Sequence, residues 1–396
     1  VEIRELRFAQ RMSGLSGSAI REIFKYVSQP GVISFAGGNP GTFALPYEEV
    51  ARISSELLLS QGKVLLQYGA TEGYFPLRES LAGYIEDTFK ARFTSQEILI
   101  TSGSMQGLDL LCKVLINPGD IVLTESPTFL GALQCLNAYQ AQIVPLKGDD
   151  EGIDPDYLEE MIKTHQPKML YTIPTFQNPT GITLSLERRE RIAHLAAQYG
   201  VVVAEDDPYH SLRYSGEMLP SIKSFDRSNW IVLLGSFSKV ISPGLRVGFM
   251  AGSENILRQC IICKQCVDVH TANLNQAIVD VYLRQGLLAP HIKSILPGYG
   301  ARMASMLESL SAIPQIKRCT QPEGGLFIFV FFDEDQDVAP LFQAAIDKGV
   351  AFVPGSPFYP EGGHRHSLRL NFSSASLEDI HKGMDILTQC IQKTMS

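Results

Sequence analysis

Ile231-Val232-Leu233-Leu234-Gly235-Ser236-Phe237-Ser238-Lys239 is the stretch from which the fold is read. Its four leading apolar residues show no polar alternation, which is the pattern of a strand buried on both faces of a helix-covered parallel sheet. The run then stops and delivers a lysine beside two hydroxyls, with Gly244-Leu245-Arg246-Val247-Gly248 close behind. Working upstream, the same design recurs. Val201 to Ala204 is a second unbroken run, followed by Asp206, Asp207 and Tyr209. Lys168 to Pro174 is a third and ends at the turn Gln177-Asn178-Pro179-Thr180-Gly181. Glu97 to Thr101 is a fourth and ends at Ser102-Gly103-Ser104, where an apolar helix over Met105 to Ile116 begins. Asp120 to Thr124 and Gln142 to Leu146 read as further strands.

Helical periodicity fills the intervals. Leu77, Leu81, Tyr84, Ile85 and Phe89 share one face of an amphipathic helix. Ser185 is placed to N-cap another, whose apolar face holds Ile192, Leu195 and Tyr199 and which stops at Gly200. Strands alternating with helices predict an α/β fold around a mostly parallel sheet. Beyond about residue 290 the texture changes to a smaller α+β unit. It holds a helix over Arg302 to Leu310, strands at Leu326 to Phe332, near Val350 to Val353 and at Leu368 to Phe372, a helix around Pro340 to Lys348, and a last helix bearing Leu377, Ile380, Met384, Leu387 and Ile391.

Composition narrows the function. The chain has 396 residues, and 34 Lys+Arg against 42 Asp+Glu give a net charge of −8. An acidic chain does not have gripping a nucleic-acid backbone as its main task. No run approaches the ~18 apolar residues of a membrane span, and Val1-Glu2-Ile3-Arg4 lacks the pattern of a signal peptide. Seven scattered cysteines do not form a disulfide framework. These features predict a cytoplasmic enzyme rather than a membrane or nucleic-acid partner.

In parallel sheets, ligands bind beyond the carboxyl ends of the strands, so the residues just after each run carry the chemistry. Ser102-Gly103-Ser104-Met105 suits either an anion nest at a helix N-terminus or a plain turn of small residues. Asn178-Pro179 suits a site amide or an ordinary turn. Two acids at Asp206 and Asp207 need a cationic partner if buried. Lys239 suits an amine of lowered pKa, or a solvated loop lysine. Taken together, an anion nest, an amide, an acid and a hydroxyl-flanked lysine are the parts that hold pyridoxal phosphate as a lysine Schiff base.

Motifs over almost the whole chain carry a resemblance. They are Ser34 to Pro40 (SFAGGNP), Leu66 to Gly73 (LQYGATEG), Thr101 to Ser104 (TSGS), Asn178 to Gly181 (NPTG), the D-x-x-Y of Asp206 and Tyr209, Ser236 to Lys239 (SFSK), Gly244 to Gly248 (GLRVG), Pro322 to Phe327 (PEGGLF), Pro354 to Phe358 (PGSPF) and Ser367 to Phe372 (SLRLNF). The chain resembles the fold-type I, class I/II pyridoxal-phosphate aminotransferases. It is most similar to the branch of the 2-aminoadipate and kynurenine aminotransferases and of the effector domains of MocR-type regulators. The resemblance implies a seven-stranded, mostly parallel sheet in a large cofactor-binding domain over 46–290. An N-terminal arm over 1–45 would belong to the small domain and substrate lid, with the small C-terminal domain over 291–396.

The resemblance also implies roles. Lys239 would form the Schiff base and shuttle the proton, Asp206 would pair with the ring nitrogen, and Asn178 and Tyr209 would hydrogen-bond the ring hydroxyl. Gly103, Ser104, Met105, Ser236, Ser238 and Arg246 would hold the phosphate, and Phe129 would stack on the ring. Tyr68 would reach the phosphate in the neighbouring subunit of a homodimer with shared active sites. Arg369, with Asn178 and Gly38, would bind the substrate α-carboxylate, and Arg21 would meet the distal carboxylate of an acidic substrate. Met105 and Phe129 stand where Gln and Tyr are common in the family. The implied reaction moves the amino group of an L-amino acid, expected to be glutamate or 2-aminoadipate, to a 2-oxo acid such as 2-oxoglutarate. A MocR-type ligand-sensing domain and a lyase or decarboxylase on the same fold are the alternatives. No metal is expected. Cys260, Cys263 and Cys266 fall within a helix over Ile256 to Val267, where they cannot converge as a loop of ligands would.

Overall fold

The computed structural model describes residues 7–15 and 31–395. Seven strands build the central sheet: β1 Ile98–Thr101, β2 Ile121–Glu125, β3 Gln142–Leu146, β4 Met169–Thr172, β5 Val202–Asp206, β6 Ile231–Ser236 and β7 Gly248–Ala251. They lie side by side in the order β3-β2-β4-β5-β6-β7-β1. Every pair is parallel except those of β7, which runs antiparallel to both β6 and β1. The unbroken apolar runs behave as their composition requires: β1 and β4 to β7 are buried almost throughout, with helices on both faces.

β7 is the strand that the sequence pattern does not announce. It is short and sits between Gly248 and Gly252, so it reads as a continuation of the loop carrying Arg246. It pairs closely with β6 because Gly235 has no side chain: a Cβ there would stand 2.2 Å from the Phe249 ring.

The helix Phe75–Phe89 buries Leu77, Leu81, Ile85 and Phe89 as its periodicity predicts, while Tyr84 is half-buried with its ring 5.6 Å from that of Phe237. Ser185 does precede the helix Leu186–Tyr199, but its side chain makes no capping hydrogen bond; Gly200 ends the helix in the left-handed region at φ 66°.

A second sheet follows, made of β8 Arg318–Cys319, β9 Phe327–Phe331, β10 Val353–Pro354 and β11 Ser367–Asn371, all antiparallel in the order β8-β9-β11-β10. The single strand expected near 350–353 is two. Val350–Ala351 pairs in parallel with Ile33–Ser34, and only Val353–Pro354 joins the sheet. The helix expected from Arg302 begins earlier, at Leu288, and runs to Ser311 through Pro297. Interior proline costs a hydrogen bond. Burial of Ile295 and Tyr299 on either side offsets that cost, and the Tyr299 hydroxyl also accepts a bond from the Gly41 N–H at 3.1 Å.

Candidate active site

The carboxyl ends of β1, β4, β5 and β6 converge on a cavity of about 280 Å³ whose wall includes Gly38, Gly103, Ser104, Met105, Phe129, Asn178, Asp206, Tyr209, Ser236, Ser238, Lys239, Arg246 and Arg369. These are the sequence-predicted residues, brought together from segments more than 300 residues apart. Two are elsewhere. Tyr68 is 81% exposed, its ring 6.0 Å from that of His270. Arg21 lies outside the described residues. A larger cleft of about 880 Å³ runs past Glu125, Arg318 and His364 and contains none of the predicted site residues.

One end of the cavity is a cationic cup. Gly103 adopts φ 88° just before the helix Ser104–Leu115, whose first N–H groups have no intrahelical acceptor. A Cβ on Gly103 would approach Arg246 Nη2 to 2.5 Å, so glycine is needed both for its backbone angle and for the closeness of the arginine. Arg246 donates from Nη2 to the Ser102 carbonyl at 2.8 Å, and the Ser236 and Ser238 hydroxyls are 2.9 Å apart beside it. Free N–H groups, two hydroxyls and a guanidinium are donors that can hold a phosphate.

The middle holds the acid and the amine. Asp206 is 3% exposed; its Oδ2 accepts from the Tyr171 hydroxyl at 2.9 Å, while Oδ1 makes no hydrogen bond. Burial pushes its carboxyl up to about 6, against the Tyr171 and Ser104 hydroxyls, which favour the charged form. Its neighbour Asp207 faces the other way and bonds Thr175 Oγ1 and His210 Nδ1, each at 2.8 Å. Lys239 Nζ donates to the Gly38 carbonyl at 2.7 Å. Burial, then repulsion from Arg369 and Arg246, brings its pKa down to about 8, so an appreciable fraction is a free nucleophilic amine near neutral pH.

The other end is Arg369, from β11. It is 2% exposed, donates from Nη1 to Asn178 Oδ1 at 2.8 Å and from Nη2 to the Ala36 carbonyl at 2.6 Å, and leaves Nε without a partner. Its guanidinium carbon lies 4.3 Å from the Phe327 ring centre and 4.9 Å from that of Phe358. Burial brings its pKa down to about 10, so it remains a cation with spare donor capacity. Burial also raises the Tyr209 phenol well above its usual range, which keeps it a neutral hydrogen-bonding group.

Sequence reasoning missed four contributors. Tyr171 sits inside β4 as one apolar residue among several, with no spacing signal to mark it. Phe327 and Phe358 lie in quoted motifs, but their stacking on Arg369 is visible only once β9 and β10, with the turn that follows β10, flank β11. The Ala36 carbonyl is a backbone group and leaves no trace in residue identity. Of the other residues considered, His210 is buried between Asp207 and the Thr88 carbonyl. Cys260 is buried, Cys263 half-buried and Cys266 exposed along and just beyond the helix Glu254–Gln265.

A sequence profile of the family "Aminotransferase class I and II" matches residues 30–387, and the chain belongs to that family. An aromatic-amino-acid aminotransferase of Thermococcus litoralis is 39% identical over 99% of this chain and 95% of its own length. A 2-aminoadipate transaminase of Thermus thermophilus is 37% identical over 97% of this chain and 96% of its own. The crystal structure of Pyrococcus horikoshii kynurenine aminotransferase, in complex with PMP, superposes with a TM-score of 0.94 at 38% identity, covering 98% of both chains. The protein is a pyridoxal-phosphate-dependent transaminase of fold type I. The site fits that cofactor on its own terms: a buried carboxylate oxygen without a partner, a lysine of lowered pKa and a glycine cradle against an arginine lie within one cavity.

Proposed function

We propose that the enzyme moves the amino group of an acidic L-amino acid, glutamate or 2-aminoadipate, to a 2-oxo acid such as 2-oxoglutarate in two half-reactions. The observation that carries this reading is the single cavity with a phosphate cup at one end, Arg369 with an unpartnered Nε at the other, and Lys239 and Asp206 between them. Pyridoxal phosphate, when bound, supplies an aldehyde to capture amines and a ring that withdraws electrons from the bond being broken.

The chain's residues do the rest. Gly103, Ser104, Met105, Ser236, Ser238 and Arg246 hold the phosphate. Asp206, one of whose buried oxygens has no partner, would pair with the ring nitrogen and keep it protonated, which would offset the cost of the carboxylate's own burial. Phe129 would pack against the cofactor ring, and Asn178 and Tyr209 would hydrogen-bond its hydroxyl oxygen. Arg369 binds the substrate α-carboxylate, oriented by Asn178 and the Ala36 carbonyl, with Gly38 alongside. Lys239 Nζ would accept the proton from the substrate Cα, a task suited to its lowered pKa.

Arg21 would meet the distal carboxylate; similarity to a Thermus 2-aminoadipate transaminase supports an acidic substrate. The aromatic and kynurenine aminotransferases among the relatives support a range that extends to larger side chains. The working unit in this proposal is a homodimer in which Tyr68 reaches the partner's phosphate. Leu66 and Tyr68, 74% and 81% exposed, adjoin a segment carrying the exposed Val267 and Val269, tied to it by the Asn273 side chain bonding the Gln67 carbonyl at 2.8 Å. Water-exposed apolar side chains gathered in this way suit burial by a second copy. We retain the division into arm, large and small domains at 1–45, 46–290 and 291–396; the core that joins Phe35 to residues between Met306 and Met395 supports it, although Ile295, Tyr299, Leu326 and Phe327 pack into the large-domain core. Seven cysteines, all free thiols, suit the reducing cytoplasm.

The test is a screen of single amino acids against the cofactor-loaded enzyme, reading release of the matching 2-oxo acid. Turnover of glutamate and 2-aminoadipate that falls selectively in Arg21→Ala is the expected result. Turnover confined to aromatic or aliphatic amino acids would overturn the acidic-substrate reading.

A further inference from the structure

Behind the phosphate cup lies a buried polar network that no role above requires. Lys264, on the helix Glu254–Gln265, is fully buried. Its Nζ donates to Gln106 Oε1 at 2.8 Å, to Asp268 Oδ1 and Oδ2 at 2.9 and 2.8 Å, and to Thr271 Oγ1 at 3.1 Å. Gln106 donates from Nε2 to Asp268 Oδ2 at 2.7 Å and accepts from the Ser102 N–H at 2.8 Å. The Ser102 hydroxyl closes the ring of contacts, 3.2 Å from Thr271 Oγ1 and 3.4 Å from Asp268 Oδ2. On its other side, the Ser102 carbonyl receives Arg246 Nη2. The peptide unit entering Gly103 is thus held from behind by the Lys264 network and from the cavity side by the cup arginine.

Burying an ammonium–carboxylate pair costs about as much as the pair returns, so such a pair seldom adds net stability. What a fully hydrogen-bonded network does contribute is a fixed geometry. Here the group it fixes is Ser102, which sets both the Arg246 guanidinium and the turn that presents the first N–H groups of the helix Ser104–Leu115.

We propose that Lys264, acting through Gln106, Asp268 and Thr271, is a positioning residue for cofactor-phosphate binding. The proposal rests on the reading of Gly103 to Met105 and Arg246 as the phosphate cup. Lys264 does not touch the cavity, and Asp268 balances its charge, so it acts by holding Ser102 in register rather than by attracting the phosphate.

The experiment measures binding of pyridoxal phosphate and of pyridoxal, which lacks the phosphate, to cofactor-free protein by fluorescence titration. Lys264→Met is expected to weaken pyridoxal phosphate about tenfold or more, the scale of one lost charge-assisted hydrogen bond, and to leave pyridoxal nearly unchanged. Lys264→Met with Asp268→Leu removes both charges, so the half-buried partner carboxylate is not left without its cation. The expected result is the same selective loss, because Ser102 is still unsupported. Equal weakening of both ligands in the single variant, or recovery of phosphate preference in the double variant, would show a merely structural ion pair and overturn the proposal. Arg246→Gln separates the underlying reading. If Arg246→Gln lowers the preference for the phosphorylated ligand and the Lys264 variants do not, the cup stands and the positioning role falls. If Arg246→Gln also leaves the preference intact, the cup reading itself is wrong and the positioning role falls with it.

Discussion

Replacing Asp206 with Asn should make the cofactor-free protein more stable at neutral pH while crippling the enzyme. Asp206 ionises near 3.8 when exposed, and burial in the cavity raises it to about 6. Between those values the unfolded chain has released a proton that the folded chain still holds, so stability falls as pH rises through that window and is flat above it. The penalty from this one group is about 1 kcal/mol at pH 4.5 and about 3 kcal/mol at pH 7.5. Asn cannot ionise, and its side-chain oxygen can still accept from the Tyr171 hydroxyl, so the variant escapes the penalty. Thermal melts of cofactor-free wild type and Asp206→Asn across this range should show the variant's advantage growing by about 2 kcal/mol from pH 4.5 to 7.5. That amounts to a few degrees in Tm for a chain of this size. An advantage that stays constant with pH, or a variant less stable than wild type at pH 7.5, would refute the reasoning that the buried carboxylate waits for a cationic partner.

The remaining predictions concern the other parts of the cavity. In cofactor-free protein, competitive acetylation of Lys239 read by mass spectrometry should show a midpoint near pH 8, the value set first by burial and then by Arg369 and Arg246. At pH 7 this leaves about a tenth of the amine neutral, roughly 300-fold more than for a lysine at 10.5, and Arg369→Met should move the midpoint upward. Arg369→Lys keeps the charge but loses the planar fork and the stacking on Phe327 and Phe358. Its kcat/KM should fall by about 10- to 100-fold, with equal loss for every amino acid that carries an α-carboxylate. Gly103→Ala forces a Cβ onto Arg246 at φ 88°; equilibrium dialysis should show pyridoxal phosphate binding weakened by roughly tenfold or more.

The parallel strands were legible because burial on both faces demands unbroken apolar runs, and the site was legible because such sheets place their chemistry after the last apolar residue. Asp206, Lys239 and Ser102 to Ser104 all follow that rule. β7 escaped it: an antiparallel strand set between glycines carries no long run, and its pairing depends on Phe249 lying over Gly235. The helix through Pro297 begins earlier than its sequence shows because tertiary burial of Ile295 and Tyr299 overrides the local preference of an interior proline. Arg369 could be identified by its motif, whereas the aromatic rings that flank it and the Ala36 carbonyl that it binds depend on three segments meeting in space. The Lys264 network was hidden for a related reason. A lysine in a helix reads as a surface residue until the partners that bury it are known.

The central claim is that Lys239 carries the cofactor and surrenders it to an incoming amino acid. Borohydride reduction of the cofactor-loaded enzyme, followed by peptide mass spectrometry, should place a phosphopyridoxyl mass on Lys239 and on no other lysine. Prior treatment with excess glutamate should abolish that label and release one 2-oxoglutarate per site. A label on a different lysine, or a Lys239 label that persists when glutamate, 2-aminoadipate and aromatic amino acids are each supplied, would contradict the account.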